Sequence, residues 1–165
     1  HIIGTMNTAD RSITQLDTAL RRRFEFKELM PGPELLKDAP VKTEIDLVTF
    51  LTKINERIEY LFDREHQIGH AYFMGCETKD DVDNVMRHKV IPLLVEYFYE
   101  DWNKVVAVLE ENKPGDGKFE GLFIDRVEIS QPPAWNPEGN EEPRYRWTVK
   151  DTFGDKCYPK PKSPQ

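Results

Sequence analysis

The residues with the most chemistry to offer come first: Asn7, Asp10 and Arg11, then the triplet Arg21-Arg22-Arg23. The apolar pair Ile2-Ile3 runs through Gly4-Thr5-Met6 into the polar cluster Asn7-Thr8-Ala9-Asp10-Arg11-Ser12. Asparagine carries a donor and an acceptor on one short side chain. At a strand end it can orient a water beside a terminal phosphate, because phosphoryl transfer depends on positioning and charge stabilisation. Asp10 and Arg11 can pair and fix the loop. The same residues also suit an Asx turn, with Asp10 or Ser12 capping the helix that follows. Arginine is always charged and forks onto phosphate oxygens, so the triplet could reach a neighbouring subunit's nucleotide. It also suits a solvated helix end, where positive charge complements the helix dipole.

These residues need elements to position them. Residues 1–30 read as strand, short helix, strand: Leu16, Ala19 and Leu20 have helical spacing, and Phe24 and Phe26 alternate with Glu25 and Lys27. A strand that ends in polar groups belongs at the carboxyl edge of a parallel sheet, where α/β proteins bind nucleotides. Met30-Pro31-Gly32-Pro33 breaks the chain and reads as a hinge. Residues 31–113 read as helical. Ile45, Val48, Leu51, Ile54, Ile58, Leu61 and Phe62 form one apolar stripe, with Lys53, Asn55, Glu56, Arg57 and Glu59 mainly on the other side. Asp80 or Asp81 should cap the next helix, and Pro92 should kink or split it. Trp102, Val105, Val106 and Leu109 give a last helix.

Residues 114–165 change character. Phe119 to Ile129 and Arg144 to Val149 read as two strands joined by a connector rich in proline, glycine and acid. The tail after Asp155 has three prolines and three lysines and reads as frayed. The expected fold is therefore mainly α. The end of a parallel sheet core (1–30) leads into a helical lid (31–113) and a small β-rich extension (114–165).

Composition narrows the function. The 165 residues carry a net charge of -7, which argues against a nucleic-acid footprint over the whole surface. Two widely separated cysteines, Cys76 and Cys157, make neither a disulfide framework nor a zinc site and suit free thiols in a reducing cytoplasm. No apolar run approaches the ~20 residues of a membrane span. His66 and His70 are spaced as two helical metal ligands would be, but no third ligand is evident, so no metal site is expected. Arg144 and Arg146 interleave with Tyr145 and Trp147, the one place outside the triplet where cations and aromatics alternate and a nucleic-acid contact is conceivable.

The run Gly4-Thr5-Met6-Asn7-Thr8-Ala9-Asp10-Arg11-Ser12, followed by Leu16-Asp17 and Ala19-Leu20-Arg21-Arg22-Arg23-Phe24, resembles AAA+ NTPases of the McrB type, the GTP-hydrolysing subunits of 5-methylcytosine-specific restriction systems. Ile68-Gly69-His70-Ala71-Tyr72-Phe73 resembles the family's lid motif, and Ile91-Pro92-Leu93-Leu94-Val95-Glu96-Tyr97-Phe98 its closing helix. The resemblance covers about residues 2–103. It implies that Asn7 is the sensor-1 residue, with Asp10 and Arg11 in the same signature loop. Arg22 or Arg23 would be the trans-acting arginine finger, Arg21 being the weaker candidate, and His70 would approach the nucleotide from the lid. It further implies GTP or ATP with Mg2+ in the full-length protein, a homo-oligomer that is plausibly a hexameric ring, a partner nuclease subunit, and DNA contacts through an upstream domain. The chain departs from the family in having no Gly-x-x-x-x-Gly-Lys-Ser/Thr phosphate loop and no apolar strand ending in paired acids. Both would lie upstream of His1, and the chain alone should be inactive. Two other functions remain open: a non-catalytic interaction module, and a MoxR-like chaperone ATPase.

Overall fold

The computed structural model describes residues 2–6, 22–109, 118–132, 134 and 142–161. Asn7, Asp10, Arg11 and Arg21 lie outside them. Helix α1 spans Leu47–Leu61. Its apolar residues recur at three- and four-residue steps, so Leu47, Phe50, Leu51, Ile54 and Ile58 all reach the core. Val48, Leu61 and Phe62 are half-buried at its margin. Asp46 starts the helix: Oδ1 accepts from the Thr49 amide at 2.9 Å and Oδ2 from the Thr49 hydroxyl at 2.6 Å.

Helix α2 (Lys79–Val85) is capped by Thr78 rather than by Asp80 or Asp81. The Thr78 hydroxyl accepts from the Asp81 amide at 3.3 Å, and the Asp81 carboxylate accepts from the Thr78 amide at 2.9 Å. This reciprocal box leaves Asp81 the third residue of the helix, with its carboxyl below the usual range because the Thr78 amide and hydroxyl bond the charged form. Pro92 neither splits nor ends the helical run. A π-turn, Met86–Val90, leads without interruption into α3 (Ile91–Tyr97). The Ile91 amide bonds back to Met86 O, widening the helix one turn ahead of a residue that has no amide to give and whose ring would crowd the preceding turn. After α3 the chain turns through Tyr99 and Glu100, both with positive φ (51° and 62°), into α4 (Trp102–Leu109).

The expected pair of strands is in fact three: β1 (Phe119–Glu120), β2 (Ile124–Glu128) and β3 (Tyr145–Val149), antiparallel in the order β1-β2-β3. The first expected strand folds back at Gly121, whose amide bonds Ile124 O at 3.0 Å. A Cβ there would lie 2.6 Å from that oxygen and 2.7 Å from the Phe119 ring, so only glycine closes this turn without a shift. The sheet packs on the helices through aromatic contacts. Trp147 of β3 stacks on Trp102 of α4, with ring centroids 6.0 Å apart and planes 9° from parallel. Arg126 of β2 is 5% exposed and lies 3.9 Å over the Tyr145 ring.

The chain beyond Asp155 does not fray as expected over its described part. A 3-10 turn, Asp155–Cys157, carries Cys157 and Tyr158 into the core. The Tyr158 hydroxyl donates to Asp83 at 2.6 Å, Lys79 bridges Asp83 and Phe153 O, and Pro159 O accepts from the Asp46 amide at 2.9 Å. Burial first, then the Asp83 bond, holds the Tyr158 phenol far above its ordinary pKa, so it stays a donor. From the π-turn, Arg87 donates to the carbonyls of Lys150 and Asp151 and to the Asp151 carboxylate. One apolar cluster thus runs from Leu36 through the four helices to Phe123, Ile124, Phe153 and Tyr158.

The strand expected at Phe24–Phe26 does not form, and residues 2–6 and 22–30 contain neither helix nor strand. Phe24 and Phe26 are 43% and 53% exposed. A strand needs a neighbour to take its backbone bonds, and no described segment pairs with this one. The described sheet is therefore the antiparallel C-terminal one, and the expected end of a parallel sheet is not among the described residues.

Replacing Gly121 by Ala should lower unfolding free energy by about 1–3 kcal/mol, through the clash in the β1–β2 turn. Gly154, with nothing within 4 Å of its Cβ position, should tolerate Ala within about 0.5 kcal/mol. Chemical denaturation of both variants beside the wild type checks this.

Candidate functional site

The site region is organised by a buried asparagine. Asn55 lies on the core face of α1 at 4% exposure, not on the polar side expected from its type. Its Oδ1 accepts from the Ile68 amide at 2.7 Å and its Nδ2 donates to Ile68 O at 3.0 Å. Both backbone groups of Ile68 are satisfied by one side chain, as burial requires. Ile68, at 1% exposure, is thereby pinned to α1, and the 3-10 turn His70–Tyr72 that follows is held in place. The signal that could have revealed Asn55 is its position one residue after Ile54, on the edge of the stripe.

His70 then reaches the expected hinge. Its Nδ1 accepts from the Gly32 amide at 3.1 Å, across 38 residues of sequence. Accepting there assigns the neutral ring's proton to Nε2. Gly32 precedes the 3-10 turn Pro33–Leu36, whose Leu36 is buried at 1%. The Pro31-Gly32-Pro33 segment is therefore joined to the helical unit by one polar contact and one apolar anchor. A second tie lies nearby in sequence: Arg64 pairs with Glu28 at 2.7 Å, both well exposed. Exposed pairs of this kind contribute little stability but restrict where the 22–30 segment can go.

Arg22 and Arg23 are exposed in a turn. Among the described residues neither forms an ion pair, and no hydrogen bond joins either to His70. Asn7, Asp10 and Arg11 lie outside the described residues. The structure thus brings His70 to the hinge and leaves Arg22 and Arg23 pointing to solvent.

His66 and His70 do not act together. His66 Nδ1 is 2.7 Å from Asp63 Oδ1, and its ring stands edge-on to Phe62 and Tyr97 at 4.4 and 4.7 Å. Asp63 also accepts from the amides of Glu65 and His66 at 2.8 and 3.0 Å, opening the 3-10 turn Arg64–His66. Burial raises the Asp63 carboxyl, but His66 and the two amides outweigh it and leave it below its ordinary pKa. Among the described residues no three His, Cys, Asp or Glu are grouped to hold a metal. Cys76 and Cys157 are both buried thiols outside any disulfide, Cys157 donating to Leu122 O at 3.3 Å, and burial, then the Asp81 charge, raise the Cys76 thiol. Trp147 packs against the core and half-buried Tyr145 lies on the same face of β3 under Arg126, while Arg146 faces solvent, so the interleaving seen in sequence is divided between the two faces of the sheet.

Asn55→Ala removes both partners of Ile68 and should cost about 2–4 kcal/mol in a denaturant melt. The Asp63 carboxylate is favoured in the folded state. Its stabilisation is therefore present above the ordinary carboxylate range and lost as pH falls through the lowered folded value. Melting curves of wild type and Asp63→Asn should differ near neutrality and converge in acid; a constant gap across that range contradicts the assignment.

Residues 46–106 match the family model described as McrB, alpha-helical lid domain. They begin at the Asp46 cap and run through α1–α3 and most of α4, including Asn55, Ile68 and His70. The chain is also 36% identical over 118 residues to the Type IV methyl-directed restriction enzyme EcoKMcrB subunit of Escherichia coli (strain K12). That match covers 61% of this chain and 26% of the relative, so the chain spans about a quarter of the relative's length. No described helix is long and apolar enough to cross a membrane. The helical unit closed by Asn55, with His70 bonded to Gly32, is thus similar over residues 46–106 to the McrB α-helical lid domain.

Proposed function

We propose that this chain belongs to an AAA+ NTPase, with GTP preferred, that works as a ring-forming motor subunit in a modification-dependent DNA restriction system alongside a nuclease subunit and a DNA-recognition domain. The observation that carries this reading is the match to the McrB lid over residues 46–106. The His70–Gly32 contact supports it physically. A lid fastened to the chain that leads to Arg22 and Arg23 can pass its own rotation to those arginines.

In this reading Asn7 orients the attacking water, and Asp10 and Arg11 hold the loop that carries it. Arg22 or Arg23, exposed and without an ion pair among the described residues, reaches across a subunit boundary and neutralises charge on the transferred phosphoryl group. His70 stands on the lid at the hinge, its Nδ1 engaged by Gly32 and its Nε2 left as the donor side of the ring. Mg2+ would neutralise phosphate charge, but the described residues contain no group of acids suited to hold it. No metal ligand is assigned to this chain. The activity is cytoplasmic, where GTP and DNA meet.

In the intact protein, Arg22→Ala/Arg23→Ala should reduce GTP turnover about a thousandfold, the scale of an arginine finger, while leaving GTP binding nearly unchanged. Mixing that variant with one lacking the phosphate-loop lysine should restore part of the turnover if the finger acts in trans. Asn7→Ala should likewise spare binding and lower turnover by about a hundredfold. Full turnover in the arginine variant would return Arg22 and Arg23 to a solvated turn, and an intact protein that neither binds nor hydrolyses nucleotide would favour a non-catalytic interaction module.

A further inference from the structure

The β-sheet has a second face. Ile124, Arg126, Trp147 and Val149 turn toward the core, and Tyr145 shares their face beneath Arg126. Successive side chains on a strand alternate, so Val127 and Arg146 point the other way, and they are directly paired across β2 and β3. One step further, the Ile129 amide bonds Arg144 O at 2.8 Å, which puts Ile129 beside Arg144 on the same face. Directly opposed residues hold their Cβ atoms about 5 Å apart. Val127 is 52% exposed and Ile129 45% exposed, and both arginines are exposed.

On the strands beside this patch, charges neutralise one another. Lys118 pairs with Glu120, and Lys150 lies 3.4 Å from Asp125. Among the described residues, no ion pair includes Arg144 or Arg146. Two cations flank two exposed β-branched residues, on a chain whose net charge is -7.

We propose that the Val127–Ile129–Arg144–Arg146 face docks an acidic, aliphatic segment of a partner protein, its carboxylates on the two arginines and its apolar side chains on Val127 and Ile129. Arginine forks onto carboxylate with two parallel bonds and is enriched at protein interfaces. A nucleic acid fits this face less well. Single-strand platforms place aromatic rings beside their cations, whereas Tyr145 and Trp147 lie on the opposite, core-facing side, and phosphate backbone gains nothing from Val127 and Ile129. The face lies outside the segment that matches the lid family, and the proposal stands independently of the nucleotide chemistry above.

The test uses the full chain and a short fluorescent peptide alternating Asp with Val, its Asn/Val counterpart, and a single-stranded and a duplex DNA oligonucleotide. The acidic peptide should bind about tenfold tighter than its neutral counterpart and than either DNA. R144Q/R146Q should remove that preference, and V127S/I129S should weaken binding of both peptides by about tenfold. All four positions are exposed, so unchanged melting of the variants confirms that folding is intact. Equal affinity for the two peptides, undiminished binding in R144Q/R146Q, or tighter binding of DNA that is lost in R144Q/R146Q would each overturn the proposal, the last in favour of a nucleic-acid surface.

Discussion

Phe50 stands where the helices, the sheet and the C-terminal turn meet. Its ring centroid is 5.1 Å from Tyr158, 6.3 Å from Phe73 and 6.4 Å from Phe123. Each contact brings in a different part of the chain: Phe73 from the turn after His70, Phe123 from the residue before β2, and Tyr158 from the C-terminal segment. The contacts with Phe73 and Tyr158 are edge-on, which adds a directional preference to the burial itself. The α1 helix therefore does not bury its face against other helices alone. The later sheet and turn complete the same core.

That shared core explains where polar groups are spent. Asn55, Arg57, Lys79 and Arg87 each send a side-chain bond to a distant backbone carbonyl, at Ile68, Val108, Phe153 and Asp151 respectively. Carbonyls at element ends and in connections have no ladder partner, and leaving one buried and unbonded costs more than a typical bond contributes. Long side chains from the helices supply those partners. The helical unit thus fixes the positions of connections that have little secondary structure of their own.

The same logic frames the hinge. Pro31 and Pro33 limit the backbone on both sides of Gly32 and themselves offer no amide, which leaves the Gly32 amide to be satisfied from outside. His70 does this. The segment that follows Arg22 and Arg23 is thus joined to the helical unit by one polar contact at Gly32 and one buried apolar residue, Leu36.

Sequence by itself determined the helices and their buried stripe, because a 3.6-residue apolar period can be satisfied only by one face of a helix. It also determined the alternation in β3, the interruption at Pro31-Gly32-Pro33, and the lid motif around His70, whose resemblance agrees with the family match. Tertiary structure decided what depends on distant partners. Thr78 rather than an acid caps α2, since both were plausible types and only backbone geometry selects between them. Pro92 became the sequel to a π-turn because the helix could widen without losing its packing. Asn55 lies in the core because it bonds both backbone groups of Ile68, and the described part of the tail is held by burial of Cys157 and Tyr158, the latter edge-on to Phe50. The Phe24–Phe26 alternation could not become a strand alone, since a strand's hydrogen bonds belong to its neighbour and not to its own sequence.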